Sequence, residues 1–155
     1  MLKNKIFILL LVFISLSSCE YSPVYKNINK EKIKIEIANI EGDELINFFI
    51  KSKLKVYSKS AGSLIYTINV SSNYQKKDTS KDKTGKVVNY ELSLRTVFDV
   101  SSNKIKDKII FEENFSYKNN DNTYKNKETE NLIKRDFADK VVEELVSQLL
   151  YLQWL

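Results

Sequence analysis

The chain has no histidine, one cysteine, one proline and three glycines among its 155 residues. Each shortage excludes something. Without histidine, and with a single thiol, the common zinc ligands and the usual nucleophile–base pairs are missing. A lone cysteine makes no disulfide within the chain. So few glycines leave no Gly-rich phosphate loop. Adjacent carboxylates do occur at Glu112-Glu113 and Glu143-Glu144. Neighbours on a strand point to opposite sides, however, and the second pair falls on a solvated helix flank. The residues therefore predict no enzyme, no metal and no bound cofactor. The formal charge of +5 is too weak a bias to imply nucleic acid.

What is present starts with the first nineteen residues. Lys3 and Lys5 precede an unbroken apolar run, Ile6 to Ile14, and small residues then lead to Cys19. This is the build of a secretory signal. The run is shorter than the about 20 apolar residues that cross a bilayer. Leu16-Ser17-Ser18-Cys19 resembles the bacterial lipobox. That resemblance implies cleavage before Cys19, a diacylglycerol thioether on its sulfur and an N-acyl chain on the freed amine. One acyl chain anchors only marginally, whereas several on one residue hold a protein stably at a membrane. The plainer alternatives are an uncleaved anchor helix, or an ordinary secretory signal with a buried thiol. Glu20 follows the cysteine, where an acidic residue can bear on sorting between the two bacterial membranes. The expected organisation is a signal peptide over 1–18, an acylated N-terminus and tether over 19–32, and a single domain over 33–155.

The tether is polar and carries Pro23, which argues against a regular element. Tyr21, Val24 and Tyr25 are its exceptions, fit either for the membrane surface or for packing under the domain. Residues 33–40 alternate strictly, Ile33, Ile35 and Ile37 against Lys34, Glu36 and Ala38, and predict a half-buried strand. Asp43 then offers an N-cap to a helix over 44–57. Leu45, Phe48 and Phe49 make one apolar stripe there, and Ile46, Ile50 and Leu54 a neighbouring one. After a turn at 58–63, three strands are predicted over 64–75, 87–100 and 105–117, the last two as a hairpin across Ser101-Ser102-Asn103. Their pattern of one apolar and one wet face is that of antiparallel strands. Lys76–Lys86 and Lys118–Lys127 read as polar loops. A helix over 128–152 closes the chain, with Phe137, Val141, Leu145, Leu149 and Leu152 in a stripe beside Ala138, Val142 and Val146. The order β-α-β-β-β-α predicts an α+β two-layer sandwich, two helices on one face of a four-stranded mixed sheet.

Few polar residues stand out. The lysines of the 76–86 stretch suit phosphates as point charges, or merely solvate a hairpin tip. Arg95, on the wet face of a long strand, suits bidentate phosphate binding, or simply pairs with Glu91 or Asp99. The tyrosines and Trp154 read as core or interface anchors rather than as a ligand cage.

Taken together, several stretches resemble the lipopolysaccharide-assembly lipoprotein family LptE, in its alphaproteobacterial-like form. They are the lipobox Cys19, the nearby Tyr21-Ser22-Pro23-Val24-Tyr25, the strand-to-helix step Ile40-Glu41-Gly42-Asp43, and Asp136-Phe137-Ala138-Asp139 in the last helix. The resemblance implies two helices on a four-stranded sheet and an anchored position on the periplasmic face of the outer membrane. It also implies two partners: an LptD-like β-barrel, which the lipoprotein plugs and helps to assemble, and lipopolysaccharide, which it binds for delivery to the outer leaflet. Basic groups on strands and loops bind that ligand in the family. By type these are Arg95, Lys106, Lys76, Lys77, Lys81, Lys83 and Lys86. The competing reading is an auxiliary lipoprotein of another envelope transporter of the ABC type, since such folds serve several systems.

Overall fold

Alternating isoleucines form the first strand, β1 (Ile33–Gly42), as their period requires, and the chain turns at once into α1 (Glu44–Ser58). The computed structural model describes residues 33–151. The signal segment, Cys19, the tether with Tyr21, Val24 and Tyr25, and the C-terminal Leu152 and Trp154 lie outside the described residues. Asp43 caps α1 as the sequence predicts, its Oδ1 accepting from the Ile46 N–H at 2.9 Å. Gly42 makes the sharp turn possible. Its φ is +104°, and a Cβ there would sit 1.8 Å from the Ser72 carbonyl oxygen of the next strand.

The remaining elements are β2 (Leu64–Lys81), β3 (Val87–Ser101), β4 (Lys106–Lys118) and α2 (Thr123–Tyr151). The sheet runs β1-β2-β3-β4, with β1 parallel to β2 and the other pairs antiparallel. It is the mixed four-stranded sheet that the element order predicts, since α1 is the crossover that a parallel pair needs. One face carries Ile33, Ile35, Tyr66, Ile68, Val70, Leu92, Leu94, Phe98, Val100, Ile109 and Phe111 into the core. There they meet Ile46, Ile50 and Leu54 of α1 and Phe137, Val141, Leu145 and Leu149 of α2. The α2 stripe is buried as predicted wherever it is described.

Three expectations are corrected. The predicted 76–86 loop is mostly strand. β2 continues to Lys81, paired with β3 as far as Lys81↔Val87 with register shifts between Asp78 and Ser80 and between Ser80 and Lys81, and only Asp82–Lys86 turns. Asp82 holds that turn, its Oδ1 accepting from the Thr84 and Lys86 N–H groups at 2.8 and 3.0 Å. The charged composition hides a strand because none of the side chains from Lys76 to Lys81 is buried, so no apolar alternation marks it. The last helix starts at Thr123, inside the predicted 118–127 loop. Asn122 Oδ1 accepts from the Tyr124 N–H at 2.9 Å, and the Asn126 side-chain amide donates to Asn119 Oδ1 and the Asn120 carbonyl, tying the preceding loop to the first turn. Finally, the buried stripe of α1 is Ile46, Ile50 and Leu54 with Asn47. Phe48 is 63% exposed.

Candidate functional site

Strand alternation sends the opposite set of side chains to a face that, among the described residues, carries no helix. Along β2 that row is Ile65, Thr67, Asn69, Ser71, Asn73, Gln75 and Lys77; after Ile65 it is uncharged and polar until Lys77. Register places Arg95 between Asn73 and Glu112, and Asp99 between Asn69 and Lys108. Arg95 Nε lies 3.7 Å from Glu112, and Lys108 Nζ lies 3.4 Å from Asp99. Arg95 thus pairs with neither Glu91 nor Asp99, its expected partners. Both pairs are half-exposed, so they contribute little to stability and leave their charges available. At one end of this face Asn69, Asp99, Ser101, Lys106 and Lys108 line a polar concavity of about 460 Å³.

The predicted basic residues do not converge. Arg95 and Lys77 share the open face, but their rows stand four residues apart, roughly 13 Å at strand rise. Lys106 pairs in register with Ser101, six residues along β3 from Arg95 in the other direction, roughly 20 Å away. Lys83 sits in the exposed turn, Lys81 lies 3.9 Å from Asp78, and Lys86 is held by Asp121 at 2.5 Å. Lys76 is on the other face, against the helices.

There Lys76 belongs to a polar clamp. Its Nζ donates to Glu130 Oε1 of α2 at 2.5 Å and lies 3.8 Å from the centre of the Tyr90 ring. Tyr74 Oη donates to Glu130 Oε2 at 2.8 Å, and Tyr117 Oη donates to Oε1. One turn further along α2, the buried Lys134 lies 3.6 Å from the Tyr74 ring centre and donates to Asp43 Oδ2 at 2.7 Å. Asp43 therefore caps α1 with one oxygen and binds α2 with the other. Burial opposes ionisation of Glu130, but the bonds from Lys76, Tyr117 and Tyr74 outweigh it and hold the carboxyl below its ordinary value. Burial first, and then the bond to Glu130, pushes the Tyr117 phenol up to about 12 and raises that of Tyr74 as well. Every charge in the clamp is answered internally, so its chemistry is that of a rivet: it fixes the upper sheet to both helices.

The clamp was legible in part. Counting back from Phe137 by three and by seven residues reaches Lys134 and Glu130, on the same helical face. Extending the phase of Tyr66, Ile68 and Val70 reaches Tyr74 and Lys76. The loop assignment at Lys76 concealed that continuation. Among the described residues no group of three or more His, Cys, Asp and Glu could hold a metal ion, and no helix is long and apolar enough to cross a membrane.

The family profile described as LptE, lipopolysaccharide-assembly, matches residues 34–149. Among solved structures, the rare lipoprotein B of Shewanella oneidensis is similar at 17% identity and a TM-score of 0.57, covering 79% of this chain and 98% of its own. A minor lipoprotein of Acinetobacter baumannii follows at 15% and 0.51, covering 77% and 92%. Lipoprotein B of Nitrosomonas europaea stands at 13% and 0.50, covering 79% and 87%. Likeness at such identities concerns the fold alone. Among curated proteins no relative matches.

Proposed function

We infer that this chain, which belongs to the LptE family of lipopolysaccharide-assembly proteins, is an outer-membrane lipoprotein that plugs a lipopolysaccharide-translocating β-barrel and assists its assembly. In this reading it also binds lipopolysaccharide for delivery to the outer leaflet. Members of the family are non-catalytic, so the work is done by shape and surface. The observation that carries the reading is the uncovered face of the sheet. Four strands at about 4.8 Å spacing present a plate roughly 15–20 Å wide. An ordinary uncovered sheet face of isoleucines would aggregate. This one has Ile65 and Ile110 half-exposed but surrounds them with Thr67, Asn69, Ser71, Asn73 and Gln75 as hydrogen-bonding groups. The lumen of a large barrel is polar and wet, and a polar rigid plate is what such a wall accepts.

Cys19, acylated, would hold the plate at the periplasmic face of the outer membrane. Arg95 and Lys77 on the plate, Lys106 in its concavity and Lys81, Lys83 and Lys86 around the hairpin tip are the groups for anionic ligand phosphates. Lys76, spent on Glu130, is the weakest of the set.

The test is a pair of substitutions on the plate, Asn73→Trp and Arg95→Glu, neither of which touches the core. The purified protein should keep its unfolding midpoint, while copurification of the barrel and the amount of assembled barrel fall. Unchanged barrel and unchanged surface lipopolysaccharide would overturn the reading. So would an ABC permease in place of a barrel among the copurified proteins.

A further inference from the structure

A second surface lies on the opposite side of the fold, beside β1. Between the free edge of β1 and α1 runs a groove of about 470 Å³ lined by Ile35, Ile37, Phe48, Lys51, Leu54 and Lys55, among others. Phe48 stands over it with 63% of its surface exposed. Among the described residues β1 pairs only with β2, which leaves the backbone groups of its other edge without a described strand alongside the groove. Large exposed aromatic surface beside an open strand edge is a liability unless something covers it.

We propose that the cover is this chain's own residues 20–28, with Tyr21, Val24 and Tyr25 laid into the groove against Phe48. The chain enters β1 at Ile33, two residues from Ile35 in the groove wall. Ile33 lies eight positions beyond Tyr25, a reach of up to about 27 Å. The groove wall from Phe48 to Ser58 is ten residues of helix, about 15 Å, so the whole groove is within reach. A segment tethered this closely acts at an effective concentration in the millimolar range. Its apolar residues are gathered at Tyr21, Pro23, Val24, Tyr25 and Ile28, and the rest of 20–32 is polar. Tyrosine suits a groove with an apolar floor and a wet rim. Lys51 and Lys55 on that rim have no carboxylate partner among the described residues, and Glu20 beside Tyr21 is a complement for them. Seated this way, the segment fixes where the anchor leaves the domain and shortens the free leash behind Cys19.

The full chain, extracted from membranes, tests this with a benzophenone amino acid at position 48 and, in a separate preparation, at Ser52. Irradiation followed by peptide mapping should join both probes to residues 20–28 of the same molecule. Mixing heavy- and light-isotope chains identifies same-molecule products. The triple variant Tyr21→Ser, Val24→Ser, Tyr25→Ser should lower that yield about ten-fold. Products with a second copy, with lipid or with another protein would overturn the proposal, as would no product from either probe. A yield unaffected by the triple variant would do the same.

Discussion

Substituting alanine at Gly42 is expected to destabilise the fold by about 3–4 kcal/mol, and the structure says where that comes from. A φ of +104° in an L-residue costs roughly 1–2 kcal/mol. The added Cβ would stand 1.8 Å from the Ser72 carbonyl oxygen, a backbone atom of an internal strand. Relief requires a shift of an ångström or so between β1 and β2. That shift breaks the Asp43 N–H bond to the Ser72 carbonyl (3.2 Å) and the Ser72 hydroxyl bond to Asn47 (2.8 Å), each worth about 1 kcal/mol net. Gly85 supplies the control. It too has a positive φ, +85°, but nothing lies within 4 Å of its Cβ position. Gly85→Ala should therefore lose only the conformational part, about 1–2 kcal/mol. Urea unfolding followed by circular dichroism would show a lower midpoint with an unchanged slope for both, the larger drop at Gly42. If Gly42→Ala cost no more than Gly85→Ala, the close approach of the two strands would not be the constraint claimed for it.

Three further outcomes are expected. Glu130 has a lowered folded-state pKa, so its contribution is present above its ordinary value of 4.5 and lost as pH falls through the lower folded value. The stability gap between the native chain and Glu130→Gln should thus narrow below about pH 4.5; a gap constant from neutral to strongly acid conditions would contradict the clamp. Lys134→Met removes the partner of Asp43 from a pair whose side chains are 11% and 17% exposed, at an expected loss of about 1–3 kcal/mol. In a double-mutant cycle with Asp43→Asn, additive losses would show that the two do not interact. Ile50→Ala, fully buried, should lose about 2–5 kcal/mol, whereas Ile65→Ala, 49% exposed on the open face, should lose under about 1 kcal/mol; equal losses in chemical denaturation would misplace the core.

The sequence by itself determined the elements and their order. Period two in Ile33, Ile35 and Ile37, the Asp43 cap and the Phe137–Leu149 stripe are local signals, since each depends only on the backbone geometry of one segment. The fold class followed, because two amphipathic helices and a one-sided sheet have few ways to bury each other. What only the tertiary structure decided concerns partners. Lys76 reads as a loop charge until β3 brings Tyr90 beside it and α2 brings Glu130 to its nitrogen. Which of two apolar stripes on α1 is buried, with Phe48 left outside, depends on where β1 and α2 stand. The end of β2 was invisible because none of its side chains from Lys76 to Lys81 is buried, so no apolar alternation is printed on its sequence. The dispersal of Arg95, Lys77 and Lys106 across the plate was equally hidden, since register, not composition, sets which charges meet.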